Sequence, residues 1–220
     1  MISRRNLLII LAVLIGGLGV FIYQITRNPY GDLFSLPEGV VLTHEQQEEF
    51  DQAKAILEKN PKDPNALITI AQVKYAVQDL MGAEKAYLAA LELQPTNTLI
   101  LNNLGDIYYQ QKEYQKSEEM FLRIIDSNPK WINAYRILSS IYRYHIKDKY
   151  QDVEEILLKG IEKNKELTGE APVDFYSMLG VFYQETGQKE KAIEAYEKVL
   201  ELDPTNEGAR IEIERLKQSN

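Results

Sequence analysis

The chain has no cysteine, which removes disulfides, thiolate nucleophiles and cysteine-based zinc sites from consideration. It has two histidines, His44 and His145, far apart in the sequence and outside any metal-ligand or nucleophile motif. A glycine-rich phosphate loop is also missing. Acidic pairs such as Glu48-Glu49, Glu118-Glu119 and Glu154-Glu155 stand on helical segments that also carry lysine, the pattern of a solvated helix face rather than of an acid/base pair. These absences predict a protein that is not an enzyme and holds no cofactor or metal. Basic residues are outnumbered beyond the start: residues 28–220 hold 22 basic and 33 acidic side chains, a net of −11. Such a domain repels nucleic acid phosphates and is poorly suited to lying flat on anionic lipid.

Acidic residues are missing from residues 1–27, which carry Arg4, Arg5 and Arg27. From Leu7 to Ile25 the chain runs 19 residues without a charge, about 28 Å of helix against a hydrocarbon layer of roughly 30 Å. Thirteen of them are Leu, Ile, Val or Phe, a sum of roughly −4 to −8 kcal/mol for insertion that exceeds the cost of Gly16, Gly17, Gly19 and Gln24. The small-residue A-x-A pattern of a cleaved leader is missing, so the reading is a retained transmembrane helix over about 7–25. Arg4, Arg5 and the amino terminus outweigh Arg27, which predicts a cytoplasmic stub and a carboxyl-terminal domain across the membrane. Ala12 and Gly16 have small-xxx-small spacing, with Gly19 one turn on, which leaves homo-oligomerisation through this helix open. Residues 28–42 contain Pro29, Gly31, Pro37 and Gly39 and read as a short linker.

Beyond the linker, Pro61, Pro95 and Pro129 recur every 34 residues, and each closes a segment of helical apolar rhythm. Leu104-Gly105 and Tyr108 precede Phe121 and Pro129, while Leu179-Gly180, Tyr183, Ala192, Tyr196 and Pro204 repeat that internal spacing. This resembles the tetratricopeptide repeat family over roughly Thr43 to Asn220. The reading is an opening helix 43–60, repeats 64–97, 98–131, 132–172 and 173–206, and a capping helix 207–217. Thr43 and Gln46 have the form of a capping box at its start. In such hairpins Ala71, Gly105, Ser139 and Gly180 occupy the places where two helices approach closely, and Tyr87, Phe121, Leu157 and Tyr196 are the bulky equivalents on the second helices. The third repeat is longer than the others by seven residues, about two near His145 to Tyr150 and five near Lys165 to Pro172, where its closing proline is displaced to Pro172. Gly160 stands mid-helix at a cost of about 1 kcal/mol.

The resemblance implies an all-α fold, a right-handed α-α superhelix of helical hairpins, and the apolar run adds one transmembrane helix before it. It also implies a concave groove lined by the first helix of each repeat, in which a protein or peptide partner lies. Carried over to this sequence, the groove presents Gln72 and Tyr75, then Asn102, Asn103, Asp106 and Tyr109, then Arg136, Ser140 and Arg143, with Ile68 and with Asp174, Ser177, Val181 and Gln184 on the same series. Tyr75, Tyr109 and Arg143 are one repeat apart and suited to stacking and hydrogen bonding. A basic clamp for a terminal carboxylate is not expected, since of Ile68, Gln72, Asn103, Asn133 and Ile137 only Asn103 fits it. The functional expectation is a membrane-anchored scaffold or adaptor that binds a protein segment and supports assembly or chaperoning of a complex, at a bacterial inner (plasma) membrane with the repeats periplasmic or extracellular. The alternatives are a structural protein acting by self-association in the membrane, and a cytosol-facing receptor if the orientation is reversed.

Overall fold

The structure is a computed structural model that describes residues 31–165 and 170–218. These residues are all-α, with helices α1 (His44–Lys59), α2 (Pro64–Ala76), α3 (Leu80–Leu93), α4 (Thr98–Gln110), α5 (Tyr114–Ser127), α6 (Ile132–Tyr144), α7 (Asp152–Lys163), α8 (Glu170–Glu185), α9 (Lys189–Leu202) and α10 (Glu207–Gln218). Two compact units divide after Leu93. In the first, α1 packs on the α2–α3 hairpin. In the second, hairpins α4–α5, α6–α7 and α8–α9 follow one another and α10 packs on α9. The apolar run 7–25, read as a transmembrane helix, lies outside the described residues, and among those described no helix is long and apolar enough to cross a membrane.

Helix starts follow from side chains that satisfy orphan amides. Thr43 accepts from the Gln46 amide while the Gln46 side chain accepts from the Thr43 amide, so the capping box at α1 is complete. Asp63 caps α2 at Ala66, Asn97 caps α4 at Leu99 and Ile100, and Asn206 accepts from the Ala209 amide in α10. The matching position before α6 is Trp131, which makes no side-chain cap. Pro172, read from the sequence as closing the third repeat, instead sits in the first turn of α8. The missing proline amide costs nothing there, because the first helical amides have no intrahelical partner.

Glycines set how closely paired helices meet. A Cβ on Gly105 would lie 2.8 Å from the Phe121 ring, and one on Gly180 2.6 Å from Tyr196. Ser117, fully buried, donates to the Gly105 carbonyl at 2.8 Å and fastens α5 to α4. The turns inside three hairpins use a left-handed residue at the same place: Gln78 (φ 64°), Lys112 (φ 62°) and Gly187 (φ 68°). Left-handed geometry costs a residue with a Cβ roughly 1–2 kcal/mol, partly offset by the backbone entropy glycine would lose. Lys112→Gly is therefore expected to raise stability by about 0.5–1 kcal/mol in denaturant melts of the full chain.

The α6–α7 hairpin has no left-handed residue there. Its extra residues near His145 to Tyr150 fold into a 3-10 turn, Lys147–Lys149, held by Glu118. The sequence places Glu118 on a solvated face, but it is buried and accepts from the Tyr142 hydroxyl at 2.8 Å and from the Lys149 ammonium. Burial, then the bond to Glu118, pushes the Tyr142 hydroxyl pKa well above its ordinary value. This inserted turn is part of the packed structure rather than a free loop.

Part of the stretch read as a linker is packed as well. Gly31–Phe34 form a 3-10 turn against α3, and Leu33 is only 1% exposed. The Lys74 ammonium, on a residue 1% exposed, donates to the Ser35 carbonyl at 2.6 Å and to Asp79 at 2.7 Å. Lys54 lies over the Phe34 ring, 5.7 Å from its centroid.

Candidate functional site

In the second unit, α6 and α8 lie side by side and are joined by two ion pairs. Near their amino ends Arg136 donates to Asp174 at 3.1 Å. One face of α6 further on, seven residues and about 10 Å along the helix, Arg143 makes a two-pronged contact with Glu185, its Nε donating at 2.8 Å. Tyr144 donates to the same carboxylate at 3.3 Å, and the guanidinium lies 4.9 Å from the Tyr144 ring centroid. Partial burial works against the charge of Arg143, but the Glu185 hydrogen bonds outweigh it and hold the pKa above the ordinary arginine value.

Between these two rungs the helices present Ile137 and Ser140 from α6 and Ser177 and Val181 from α8, none of them buried. The buried face of α6 is made by Ala134, Tyr135, Leu138, Ser139, Ile141 and Tyr142, so this strip lies outside the core. It is uncharged, small-residue and apolar, framed by paired charges. On α8 the neighbouring Gln184 donates to Glu212 of α10 at 2.6 Å, and that bond, with Arg215, holds the Glu212 pKa below its ordinary value.

The other residues expected from the sequence are placed as follows. Asn102, Asn103, Asp106 and Tyr109 share one face of α4. Asn103 donates back to the Leu99 carbonyl at 2.9 Å, and Asp106 accepts from Gln110 at 3.1 Å. The Asn102 Oδ1 is buried without a hydrogen-bond partner among the described residues. Tyr109 is already engaged: its hydroxyl lies 3.0 Å from His145 Nε2, and its ring meets Tyr114 edge-on while His145 stacks on Tyr114 at 3.9 Å. His145 thus has a packing role that its sequence position did not signal. In the first unit, α2 carries Gln72, exposed, and Tyr75, half-buried, whereas Ile68, expected on the same face, is buried.

Arg143 and Glu185 differ in exposure, at 15% and 34% of their side chains. A double-mutant cycle through Arg143→Ala and Glu185→Ala is expected to give a coupling of about 1 kcal/mol, since a two-pronged, part-buried pair exceeds an ordinary surface pair. Urea melts at low and high salt check it.

Two sequence profiles of the tetratricopeptide repeat match, one over residues 68–130 and one over residues 173–206. These stretches are tetratricopeptide repeats. The irregular α6–α7 hairpin falls between them, where the missing cap and the extra turn depart from the repeat pattern. Among curated proteins, the anaphase-promoting complex subunit CDC16 of Saccharomyces cerevisiae is 24% identical over 143 residues, 61% of this chain and 16% of that protein. The chain therefore spans about one sixth of that relative's length. Among solved structures, MamA superposes with a TM-score of 0.54 at 27% identity, over 70% of this chain and 81% of the other. YrrB, a tetratricopeptide protein with an unusual peptide-binding site, gives a TM-score of 0.52 at 20% identity, over 76% and 82% of the two chains, and shares the fold. The repeats make the chain a scaffold capable of protein–protein interaction.

Proposed function

We propose that the chain is a membrane-anchored, non-catalytic scaffold that binds an extended protein segment along the first helices of its repeats and holds it at a membrane surface for assembly or chaperoning. The observation that carries this reading is the uncharged strip of Ile137, Ser140, Ser177 and Val181 between the Arg136–Asp174 and Arg143–Glu185 pairs. Small side chains let a peptide backbone approach. The part-buried Arg143–Glu185 pair favours neutral over strongly charged ligand residues beside it, because opening it would strand a partly desolvated charge. The peptide-binding site named for YrrB supports this class of ligand by analogy of fold.

The membrane part rests on the 19-residue uncharged run from Leu7 to Ile25. The excess of Arg4 and Arg5 over Arg27 supports an amino end on the cytoplasmic side and repeats in the periplasm or outside. In sealed vesicles the repeats are then cut by added protease only when they face outward, and digestion in right-side-out but not inverted vesicles supports this orientation. The binding assignment is tested by Ser140→Arg with Ser177→Arg, which fills the strip with charge at two half-buried positions outside the core. Loss of co-purifying partner with an unchanged circular dichroism spectrum supports it, and retention of the partner at full yield removes the strip from the assignment.

A further inference from the structure

Three consecutive residues of the stretch read as a linker sit on the first unit as a bound peptide would. Leu33 is buried, Phe34 lies beneath the Lys54 ammonium of α1, and the Ser35 carbonyl accepts from Lys74 of α2. The 3-10 turn that carries Leu33 and Phe34 packs on α3. One short piece of chain therefore meets all three helices. It is set apart from α1 by a turn in which the Val40 amide donates to the Pro37 carbonyl and Gly39 is left-handed, φ 82°. The helices' side of this contact is complete without the segment. Asp79 pairs with Lys74 at 2.7 Å and accepts from the Gly82 amide at 3.0 Å, while the Asp79 amide donates to the Lys74 carbonyl at 2.8 Å. These bonds all lie within the α2–α3 turn, so the lysine keeps its counter-ion and its place when Ser35 leaves.

We propose that this place at the α2–α3 turn is a docking site for an extended segment of another protein, one that presents leucine, an aromatic residue and a backbone carbonyl in that order. Leu33–Ser35 is then a ligand held in cis, which the partner's segment displaces. The cis segment shows the chemistry accepted: an apolar socket for leucine, a cation over the ring and a buried ammonium for the carbonyl. It supplies one fully buried side chain and one hydrogen bond to the unit, a small contact that is reinforced by its tether. A short tether gives an effective concentration on the order of millimolar. A second copy of the chain offers the same three residues without that tether and has no advantage over the segment in place, whereas a partner with further contacts does. The site shares no residue with the strip between α6 and α8, and neither reading depends on the other.

The probe is a fluorescent synthetic peptide with the sequence of Gly31–Leu36, titrated into the full-length protein and followed by polarisation. Leu33→Gly in the protein removes the buried side chain of the cis segment, and binding is expected to be saturable and about tenfold or more tighter than to the wild type. A peptide that itself carries Leu33→Gly is expected not to bind. Gly39→Val releases the segment by a second route, because valine is strained at φ 82° while every residue of the site is kept. A tightening of about threefold or more is expected there. Lys74→Met with Asp79→Asn, added to Leu33→Gly, is expected to abolish binding. Equal affinity for the wild type and both released variants, no saturation in either variant at millimolar peptide, or binding indifferent to Leu33→Gly in the peptide overturns the site. A dimer between wild-type and Leu33→Gly chains that wild type alone does not form would give the site to a second copy and overturn the partner assignment.

Discussion

Phe175→Ala is expected to lower stability by about 3–5 kcal/mol in denaturant melts of the full chain. The ring is fully buried at the centre of the irregular hairpin and its successor. It meets Tyr135 edge-on at 5.0 Å, and a Cβ on Gly160 of α7 would fall 2.7 Å from its Cζ. Gly160 is thus a recess for Phe175, and this explains a glycine that helix propensity alone disfavours. Gly160→Ala tests that explanation through its sign. In an open helix the exchange gains about 1 kcal/mol, but here the ring cannot retreat and a loss of about 1–3 kcal/mol is expected. Phe175→Leu, which removes the outer ring atoms, should recover most of the Gly160→Ala loss when the two are combined. Independent, additive effects would show that the ring does not occupy the recess.

Lys74→Met is the second large effect, again about 3–5 kcal/mol. The substitution keeps the volume but strands Asp79, whose side chain is 14% exposed, without its cation. It also leaves the Ser35 carbonyl without its donor. Adding Asp79→Asn removes the stranded charge while keeping an oxygen to cap Gly82, so the double variant is expected to regain more than half of the loss. Hydrogen exchange distinguishes the two parts of the effect. Protection of the backbone around Leu33–Leu36 is expected to fall in both variants, whereas protection of α2 and α3 recovers in the double one.

Much of the helical framework was legible because its signals are local. Thr43 and Gln46 specify a start, and Pro61, Pro95 and Pro204 stand just past helix ends. Gly105 and Gly180 announce close contact with Phe121 and Tyr196. What escaped was set by pairing across the chain. Lys74 reads as an ordinary surface lysine until Ser35 and Asp79 are brought to it. Glu118 sits in a Glu-Glu-rich stretch, and only the packing of the inserted turn reveals it as a buried acceptor.

The expected face was readable on α6, where Arg136, Ser140 and Arg143 do share one side, but the roles within it were not. Arg143 and Tyr109 were expected to offer free groups to a ligand. Glu185 and His145, distant in sequence, occupy those groups instead. Ser177, expected on the same series, lies with Val181 on α8 beside α6, but the ion pairs that frame the strip are a matter of helix placement that periodicity does not report.

The most direct test of peptide binding along α6 and α8 is site-specific photo-crosslinking of the full-length protein in the cells that make it. A photoreactive residue is placed at Ser140 or Ser177 on the strip, or at Leu158, exposed on α7. Adducts with the same protein segment from Ser140 and Ser177, and none from Leu158, are the expected result. Adducts from Leu158 with none from the strip would contradict it.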